Sequence, residues 1–316
     1  MKKTPSDVHL IIGASETDAD LFYATRFLAP DPFIYLKINQ ESFLLLSDLE
    51  LDRARAQAQV DTVLSITQYQ KQAEKFSPDI PIHLVALHYL LRERKIETLT
   101  VPRIFPIEAA DFLRSTGFTI SFSPNSFFPQ RECKSRDEIE DIRLVQQHAE
   151  TAMEIAINTI RKADTKDNFL YQNGELLTSR TIKKLISVSL MDNACTGQNT
   201  IVACGDQACD PHNQGSGPLH KGKPIIIDIF PRSDKTGYFA DITRTIIKGE
   251  PTDDMKQIYS AVLKGQIFAL NCIQSGINGH EIHQSVVDLF ESLGYTTGEC
   301  NGRIQGFFHG TGHGVG

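Results

Sequence analysis

The chain has 316 residues, of which 41% are hydrophobic and 22% are charged, and its formal net charge at pH 7 is −7. This composition is typical of a soluble globular protein with enough apolar residues for two domains. The acidic charge argues against nucleic acid or an anionic membrane as a partner, since neither would be attracted by the mean field of the protein. No run reaches the roughly 20 apolar residues that a membrane-spanning helix needs.

The first 130 residues alternate segments of strand and helix character. The first apolar segment, Val8–Ala14, is short and runs into the acidic sequence SETDAD, so it indicates a strand and not a signal peptide. This alternation predicts an α/β layer domain over residues 1–130, in which no motif carries catalytic chemistry. The predicted strands are Val8–Gly13, Phe33–Ile38, Ser42–Leu46, Thr98–Val101 and Phe118–Ser121, and the predicted helices are Leu49–Gln59 and Ile82–Lys95.

Six cysteines are scattered along the chain without a C-x-x-C pair. This usage favours a reducing cytoplasm and free, mostly buried thiols. A redox or metal pair formed by Cys204 and Cys209 stays open, although their spacing matches no common ligand pattern. We therefore expect a cytoplasmic protein.

A segment with two prolines and little periodicity, Ser121–Ser135, predicts a linker, and the second domain is placed at residues 131–316. Ser135 and Glu138 form a capping box, which satisfies exposed amides at a helix start. Apolar residues at three- and four-residue steps then predict a long helix. Further helices are predicted at Leu176–Met191, Thr252–Gln274 and His280–Leu293.

The strongest local signal is a predicted hairpin in the sequence PIIIDIFPRSDKTGYFADITRT. Its first strand, Ile225–Phe230, is apolar except for Asp228, and its return strand, Tyr238–Ile247, contains Asp241. Successive side chains of a strand point to opposite faces, so a hairpin of this kind can bring both carboxylates to one face. The residues between the strands, PRSDKTG, are predicted to form the turn.

These two carboxylates favour a metal site. An ionised aspartate among isoleucines is costly to bury unless a cation or donors meet it, and two facing carboxylates repel each other. A divalent cation removes both costs, and two metals held by bridging carboxylates are a known hydrolytic arrangement. The alternative is a structural role in which Asp228 pairs with Arg244 or accepts from backbone amides.

Three histidines could complete such a site. His309 and His313 lie among glycines in the closing sequence FFHGTGHGVG, and His212 lies in a glycine-rich loop just before the strand that holds Asp228. A neutral imidazole is the commonest metal ligand, and glycine lets the backbone approach a site closely. A solvated loop histidine is the alternative for His212. Together with the aspartate hairpin, the histidines indicate a metal-dependent hydrolase.

The order of these elements resembles the pita-bread metallopeptidases, above all the proline-specific branch of aminopeptidase P and prolidase. The elements are a histidine loop, an aspartate hairpin ending in DITRT, and then HGTGHGVG. The resemblance covers the chain from about Ser135 to the end, and it implies a pita-bread catalytic domain. The predicted fold class is therefore α/β (α+β), with a first domain similar in size and placement to the N-terminal domain of the creatinase and aminopeptidase P group.

The resemblance also implies roles for the site residues. Asp228, Asp241 and His313 would bind metal, His309 would line the substrate pocket, and His212 would bind substrate and stabilise the tetrahedral intermediate. Two divalent ions are implied, with Mn²⁺ preferred over Co²⁺ or Zn²⁺ because carboxylate-rich ligation suits it. The implied activity is hydrolysis of the bond before proline by a metal-bridging hydroxide, on peptides with proline at the second position. A homodimer is implied as well.

The sequence departs from the family pattern in two ways. The turn between the aspartates is longer by an even number of residues, which preserves the face on which both carboxylates lie. The further histidine and two glutamates that follow in family members have no counterpart before Gly316. This favours a fragment of a longer chain or a disrupted gene. Two alternatives follow, namely an inactive pita-bread protein that acts as a binding module, and a metal-free creatinase-like hydrolase, against which the intact aspartate pair argues.

Overall fold

The structure is a computed structural model that describes residues 7–316. It divides into two compact units, of which the first ends at Lys134 and the second runs from Ser135 to Gly316. The sequence analysis places this boundary between residues 130 and 131. Across the described residues, no helix has both the length and the apolar character needed to cross a membrane.

The first unit is built on one six-stranded mixed sheet. Its strands are β1 (Val8–Gly13), β2 (Phe33–Ile38), β3 (Glu41–Leu46), β4 (Thr62–Ser65), β5 (Thr98–Val101) and β6 (Thr119–Phe122), arranged in the order β4-β3-β2-β1-β5-β6. Its helices are α1 (Ala19–Thr25), α2 (Asp48–Gln57), α3 (Gln70–Ala73), α4 (Ile82–Glu93) and α5 (Ile107–Ser115), with 3₁₀ turns at Ile66–Tyr69 and Pro129–Glu132. The strands and helices predicted for this unit are confirmed, with ends that differ by a few residues.

Both faces of this sheet are buried, which explains its nearly continuous apolar strands. Alternate residues enter two separate cores, so that Leu36 packs beneath α4 and α5 while the neighbouring Tyr35 packs on the side of α1 and α2. The unit is therefore a three-layer α/β/α domain, as its alternating pattern predicts.

The predicted linker is partly structured. Phe128 is buried in the core beside Tyr35, and the ring of Phe127 stacks on His9 with 4.4 Å between centroids. The expectation of an irregular linker over Ser121–Ser135 is therefore wrong for its middle. Phe127 and Phe128 return to the first unit because burying their rings is favourable.

The second unit combines helix pairs with several small antiparallel sheets. Its helices are α6 (Arg136–Lys162), α7 (Ser179–Met191), α8 (Asp253–Cys272) and α9 (Gly279–Ser292), with a 3₁₀ turn at Gly205–Cys209. Its strands are β7 (Asp164–Lys166), β8 (Phe169–Gln172), β9 (Glu175–Leu176), β10 (Cys195–Thr196), β11 (Ile201–Cys204), β12 (Pro224–Ile229), β13 (Arg232–Ser233), β14 (Ile242–Ile247), β15 (Gly298–Cys300) and β16 (Arg303–Gln305).

The capping box at the start of α6 is confirmed. The Ser135 hydroxyl accepts the Glu138 amide, and the Glu138 carboxylate accepts the Ser135 amide. The predicted start of α7 is three residues early, because Leu176 pairs with β8 and Thr178 caps the helix. Helices α6 and α7 bury their apolar stripes against the three-stranded sheet β11-β12-β14, which forms the main core of this unit.

All six cysteines are free. Cys195 and Cys204 are buried, Cys272 is partly buried, and Cys133, Cys209 and Cys300 are exposed. The expectation that most thiols would be buried is therefore wrong, since half of them lie in turns or edge segments of the surface.

Candidate functional site

The centre of the site is the middle strand of the β11-β12-β14 sheet. Ile225, Ile227 and Ile229 are fully buried in the core beneath α6 and α7. Asp228 alternates with them and therefore points to the opposite face, where it is only partly buried. The aspartate within the isoleucine run therefore avoids the cost of burying a charge in the core, because the isoleucines and the carboxylate lie on different faces of one strand.

The return strand fixes the partner of Asp228. Thr243 on β14 lies directly opposite Asp228 on β12, and its hydroxyl donates a hydrogen bond to the Asp228 carboxylate. Arg244 donates instead to the backbone oxygen of Thr243 at 2.8 Å. The Asp228 carboxylate therefore contacts a hydroxyl group. It does not form the ion pair with Arg244 that the sequence left open as an alternative to metal binding.

The return strand is shorter than expected. It begins at Ile242, not at Tyr238, so Asp241 lies one residue before the ladder. The predicted turn is confirmed for its second part, which Ser233 closes by donating to the oxygen of Tyr238, whereas Arg232 still belongs to the hairpin and β13 also pairs with β10. Pro231 interrupts the regular ladder because it has no N–H to donate, although its oxygen accepts the amide of Ala240 at 3.0 Å.

Asp241 nevertheless comes close to Asp228. It lies two residues before Thr243, and extended backbone places residues at this spacing on one face. Partial burial raises the pKa of Asp241, the charge of Asp228 raises this pKa further, and His313 opposes the shift. The two carboxylates are therefore near enough to repel, as the sequence analysis expects of a cation site.

His313 approaches the same carboxylate. Its Nε2 atom lies 3.5 Å from Asp241 Oδ2, while its Nδ1 lies 2.8 Å from the backbone oxygen of Gly314. A carbonyl oxygen only accepts, so Nδ1 carries a proton, and it is the proton on Nε2 that would leave to give a lone pair on the side of Asp241. An imidazole in this tautomer is suited to ligation.

His309 has the same tautomer but different neighbours. Its Nδ1 donates to the oxygen of Gly310 at 2.9 Å, and its ring meets Phe307 edge to face at 4.8 Å. The loop between His309 and His313 is also bonded to His283, whose Nδ1 lies 2.9 Å from Thr311 Oγ1. His283 anchors this loop to α9.

His212 lies exposed in the connection between β11 and β12. Its amide donates to Asp210 Oδ1 at 3.1 Å. The loop folds back on β11, where Val202 donates to the oxygen of Gln214 at 3.1 Å. Among the contacts of residues 7–316, those of His212 stay within its own loop, so its role at the site remains a prediction.

The donor set fits a divalent cation in kind. Asp228 and Asp241 supply carboxylate oxygens on one face, and the free Nε2 of His313 faces Asp241. A cation would offset the burial and the repulsion by Asp228, which together raise the pKa of Asp241. Within the described part of the chain, no three histidine, cysteine, aspartate or glutamate side chains gather closely enough to form a coordination cluster.

Two contacts of the site have no local signal in the sequence. The amide of Asp241 donates to Gln146 Oε1 on α6 at 3.3 Å, and the Tyr238 hydroxyl donates to Glu138 Oε1 at 2.6 Å. Each joins residues about a hundred positions apart, and glutamine and glutamate on the polar side of a helix are too common to indicate such a role.

Comparison with known proteins places this site in context. The profile of metallopeptidase family M24 matches residues 140–316, which is more than half of the chain. An uncharacterized peptidase of Staphylococcus saprophyticus is 24% identical over 308 residues, covering 95% of this chain and 77% of the relative. An uncharacterized peptidase of Staphylococcus aureus is 29% identical over 187 residues, covering 59% of this chain and about half (47%) of the relative.

Solved structures share the fold. The Xaa-Pro dipeptidase from Bacillus anthracis superposes with a TM-score of 0.76 at 21% identity, covering 98% of this chain and 78% of that one. The X-Pro aminopeptidase from Thermotoga maritima superposes with a TM-score of 0.74 at 20% identity, covering 92% of this chain and 76% of that one. The architecture predicted from the sequence is confirmed by these similarities.

Proposed function

The chain belongs to metallopeptidase family M24, and from that premise we propose that it acts as an Xaa-Pro aminopeptidase or dipeptidase. Its substrates would be peptides with proline at the second position, cleaved at the bond before proline. The observation that carries the proposal is the approach of His313 Nε2 to Asp241 Oδ2, at 3.5 Å, beside Asp228. The fold shared with an Xaa-Pro dipeptidase and an X-Pro aminopeptidase supports the choice of substrate.

Asp228, Asp241 and His313 would hold divalent metal ions. Carboxylate-rich ligation favours Mn²⁺, and Co²⁺ or Zn²⁺ are the alternatives. Bound divalent metal would supply Lewis-acid polarisation of the scissile carbonyl and activation of water.

Side chains of the protein would orient the metal ligands and bind the substrate. Thr243 orients the carboxylate of Asp228, and Gln146 of α6 holds the backbone amide of Asp241, so part of the site is ordered before ligands arrive. His212 would donate a hydrogen bond to the substrate oxygen as negative charge develops on it. His309, whose proton on Nδ1 is committed to Gly310, offers its Nε2 as an acceptor toward substrate.

The test is replacement of Asp241 by Asn in the purified protein, with hydrolysis of a Gly-Pro dipeptide and an Ala-Pro-Ala tripeptide measured in added Mn²⁺. We expect loss of metal-dependent cleavage, because the amide removes the charge that binds the cation. Asp167→Asn is the matched control. Asp167 is exposed in the turn between β7 and β8, with a positive φ that asparagine tolerates. Retained cleavage in Asp241→Asn would sink the assignment.

The same assay separates the two rival functions. Cleavage that survives exhaustive chelation would favour a metal-free creatinase-like hydrolase. Binding of Xaa-Pro peptides without turnover, even in added Mn²⁺, would favour a binding module. We also propose a homodimer in the cytoplasm, which light scattering of the purified protein and cell fractionation would test.

A further inference from the structure

The backbone amide of Asp241 has its partner outside the sheet. The β12–β14 ladder begins at the pair Ile229 and Ile242, so Asp241 precedes the first ladder position. Hairpin pairing resumes on its other side, where Ala240 donates to the oxygen of Pro231 and Phe239 bridges to Arg232, so the amide of Asp241 between these pairs needs another partner. That partner is Gln146, whose Oε1 accepts the Asp241 amide at 3.3 Å across 95 residues of sequence.

The Gln146 side chain is itself oriented. Its Nε2 lies 3.5 Å from Glu150 Oε1, one helical turn further along α6. An amide nitrogen only donates and an amide oxygen accepts, so the contact with Glu150 agrees with the orientation that presents Oε1 to Asp241.

A second bond ties the same segment to α6. The Tyr238 hydroxyl donates to Glu138 Oε1 at 2.6 Å, while Glu138 Oε2 accepts the Ser135 amide at 2.7 Å. Glu138 is only 7% exposed, and the capping box fixes its carboxylate. Glu138 and Gln146 lie eight residues apart, about 12 Å along the helix axis. Helix α6 therefore holds both ends of Tyr238–Asp241.

We propose that Gln146 is a positioning residue, which aims the Asp241 carboxylate at the divalent cation through the backbone amide of Asp241. The proposal rests on the function proposed above and deepens it. Without this bond only the neighbouring hairpin pairs would hold the Asp241 backbone, and the extra ordering needed at the cation would weaken metal binding. Partners that orient metal ligands typically affect metal affinity by about 10- to 100-fold.

The test compares Gln146→Met with Gln147→Met. Methionine keeps the length of glutamine and removes the acceptor, and Gln147 is the adjacent, exposed glutamine of the same helix. Mn²⁺ affinity is measured by titration calorimetry on the folded, metal-depleted proteins without substrate. We expect Gln146→Met to weaken Mn²⁺ binding by about 10-fold, at the lower end of effects for partners of metal ligands. Gln147→Met should match the wild type.

Two further measurements separate positioning from simple destabilisation. Amide hydrogen exchange of the peptide containing Asp241 should accelerate in metal-free Gln146→Met, while the melting temperature changes little. Tyr238→Phe, which loosens the other end of the segment, should weaken Mn²⁺ binding less than Gln146→Met does. A lower melting temperature with unchanged Mn²⁺ affinity would make Gln146 merely structural and overturn the inference.

Metal binding by the wild type distinguishes failure of the proposed function from failure of this inference. If the wild type binds neither Mn²⁺ nor Co²⁺ nor Zn²⁺, the metallopeptidase proposal falls, and the inference falls with it. If the wild type binds Mn²⁺ and cleaves Xaa-Pro peptides while Gln146→Met binds Mn²⁺ equally well, only the inference falls.

Discussion

Thr243 lies directly opposite Asp228 across the β12–β14 ladder, and its hydroxyl donates a hydrogen bond to the Asp228 carboxylate. Cross-strand pairs of this kind set which way a side chain leans on the sheet. The bond fixes one oxygen of the proposed metal ligand and leaves the other available. The orientation of Asp228 thus depends on strand register, whereas the amide of Asp241 is bonded in addition to a helix.

Replacement of Thr243 by valine tests this relationship. Valine keeps the β-branched shape but cannot donate, so we expect Asp228 to lose its fixed orientation and Mn²⁺ binding to weaken by about 10-fold. Thr245→Val is the matched control, because Thr245 is exposed and lies on the same strand and face, opposite Ile226. Calorimetric titration with Mn²⁺ gives the comparison, and equal affinities for the two variants would contradict the role of Thr243.

The loop that carries His212 depends on Gly215. This glycine is buried with a φ of +74°, and a Cβ placed there would lie 1.8 Å from the backbone oxygen of Val202. Gly215→Ala must therefore displace the loop from β11, and we expect it to lower the free energy of unfolding by about 3 kcal/mol. Denaturant unfolding provides the measurement.

The control for Gly215 is Gly217. It has nearly the same φ, +73°, but open space around its missing Cβ. Gly217→Ala carries only the cost of the left-handed conformation, about 1–2 kcal/mol. The difference between the two variants isolates the collision with Val202. If both variants lost the same stability, the close approach of the loop to β11 would be wrong.

The two faces of β12 make a third prediction. Ile227 is fully buried beneath α6 and α7, whereas Ile226, its neighbour, lies on the face of Asp228 and is only partly buried. Ile227→Ala should lower the free energy of unfolding by about 2–5 kcal/mol through lost burial and a cavity. Ile226→Ala should cost clearly less, and the reverse order in denaturant unfolding would mean that the strand faces are assigned the wrong way round.

The first unit should lose stability in acid through His88. The ring of His88 packs edge-on against Phe76, Tyr89 and Phe118, and its Nδ1 has no hydrogen-bond partner among the described residues. Burial, followed by the charge of Arg92, lowers the pKa of His88 from its ordinary value of 6.5. The unfolded chain therefore binds this proton more readily than the folded one, and stability falls as pH drops below about 6.5.

Replacing His88 by phenylalanine, which suits the aromatic surroundings, should flatten this acid dependence. Thermal unfolding of the first unit between pH 7.5 and pH 5 gives the slope, with His280→Phe as the exposed control. His83, whose pKa burial also lowers, stays in both variants and leaves a residual slope. An unchanged slope in His88→Phe would show that His88 is not the group that takes up the proton.

Local patterns in the sequence determined much of this architecture. The capping box at Ser135 marks the start of α6, and the period-two pattern of β12 separates Asp228 from Ile227 and Ile229. Such patterns involve residues a few positions apart, and they follow from helix and strand geometry that is the same in all proteins. The motifs also pointed correctly to metallopeptidase family M24, since they combine residue type with order along the chain.

Only the tertiary structure decided which partners complete the site. Gln146 meets Asp241 across 95 residues, and His283 meets Thr311 across 28. The same applies to Phe128, which leaves its expected linker for the core of the first unit. Contacts of this kind arise from the packing of whole elements, and no spacing in the sequence encodes them. The physical reason is that a hydrogen bond or a buried ring selects its partner by position in space, while a local pattern records only neighbours along the chain.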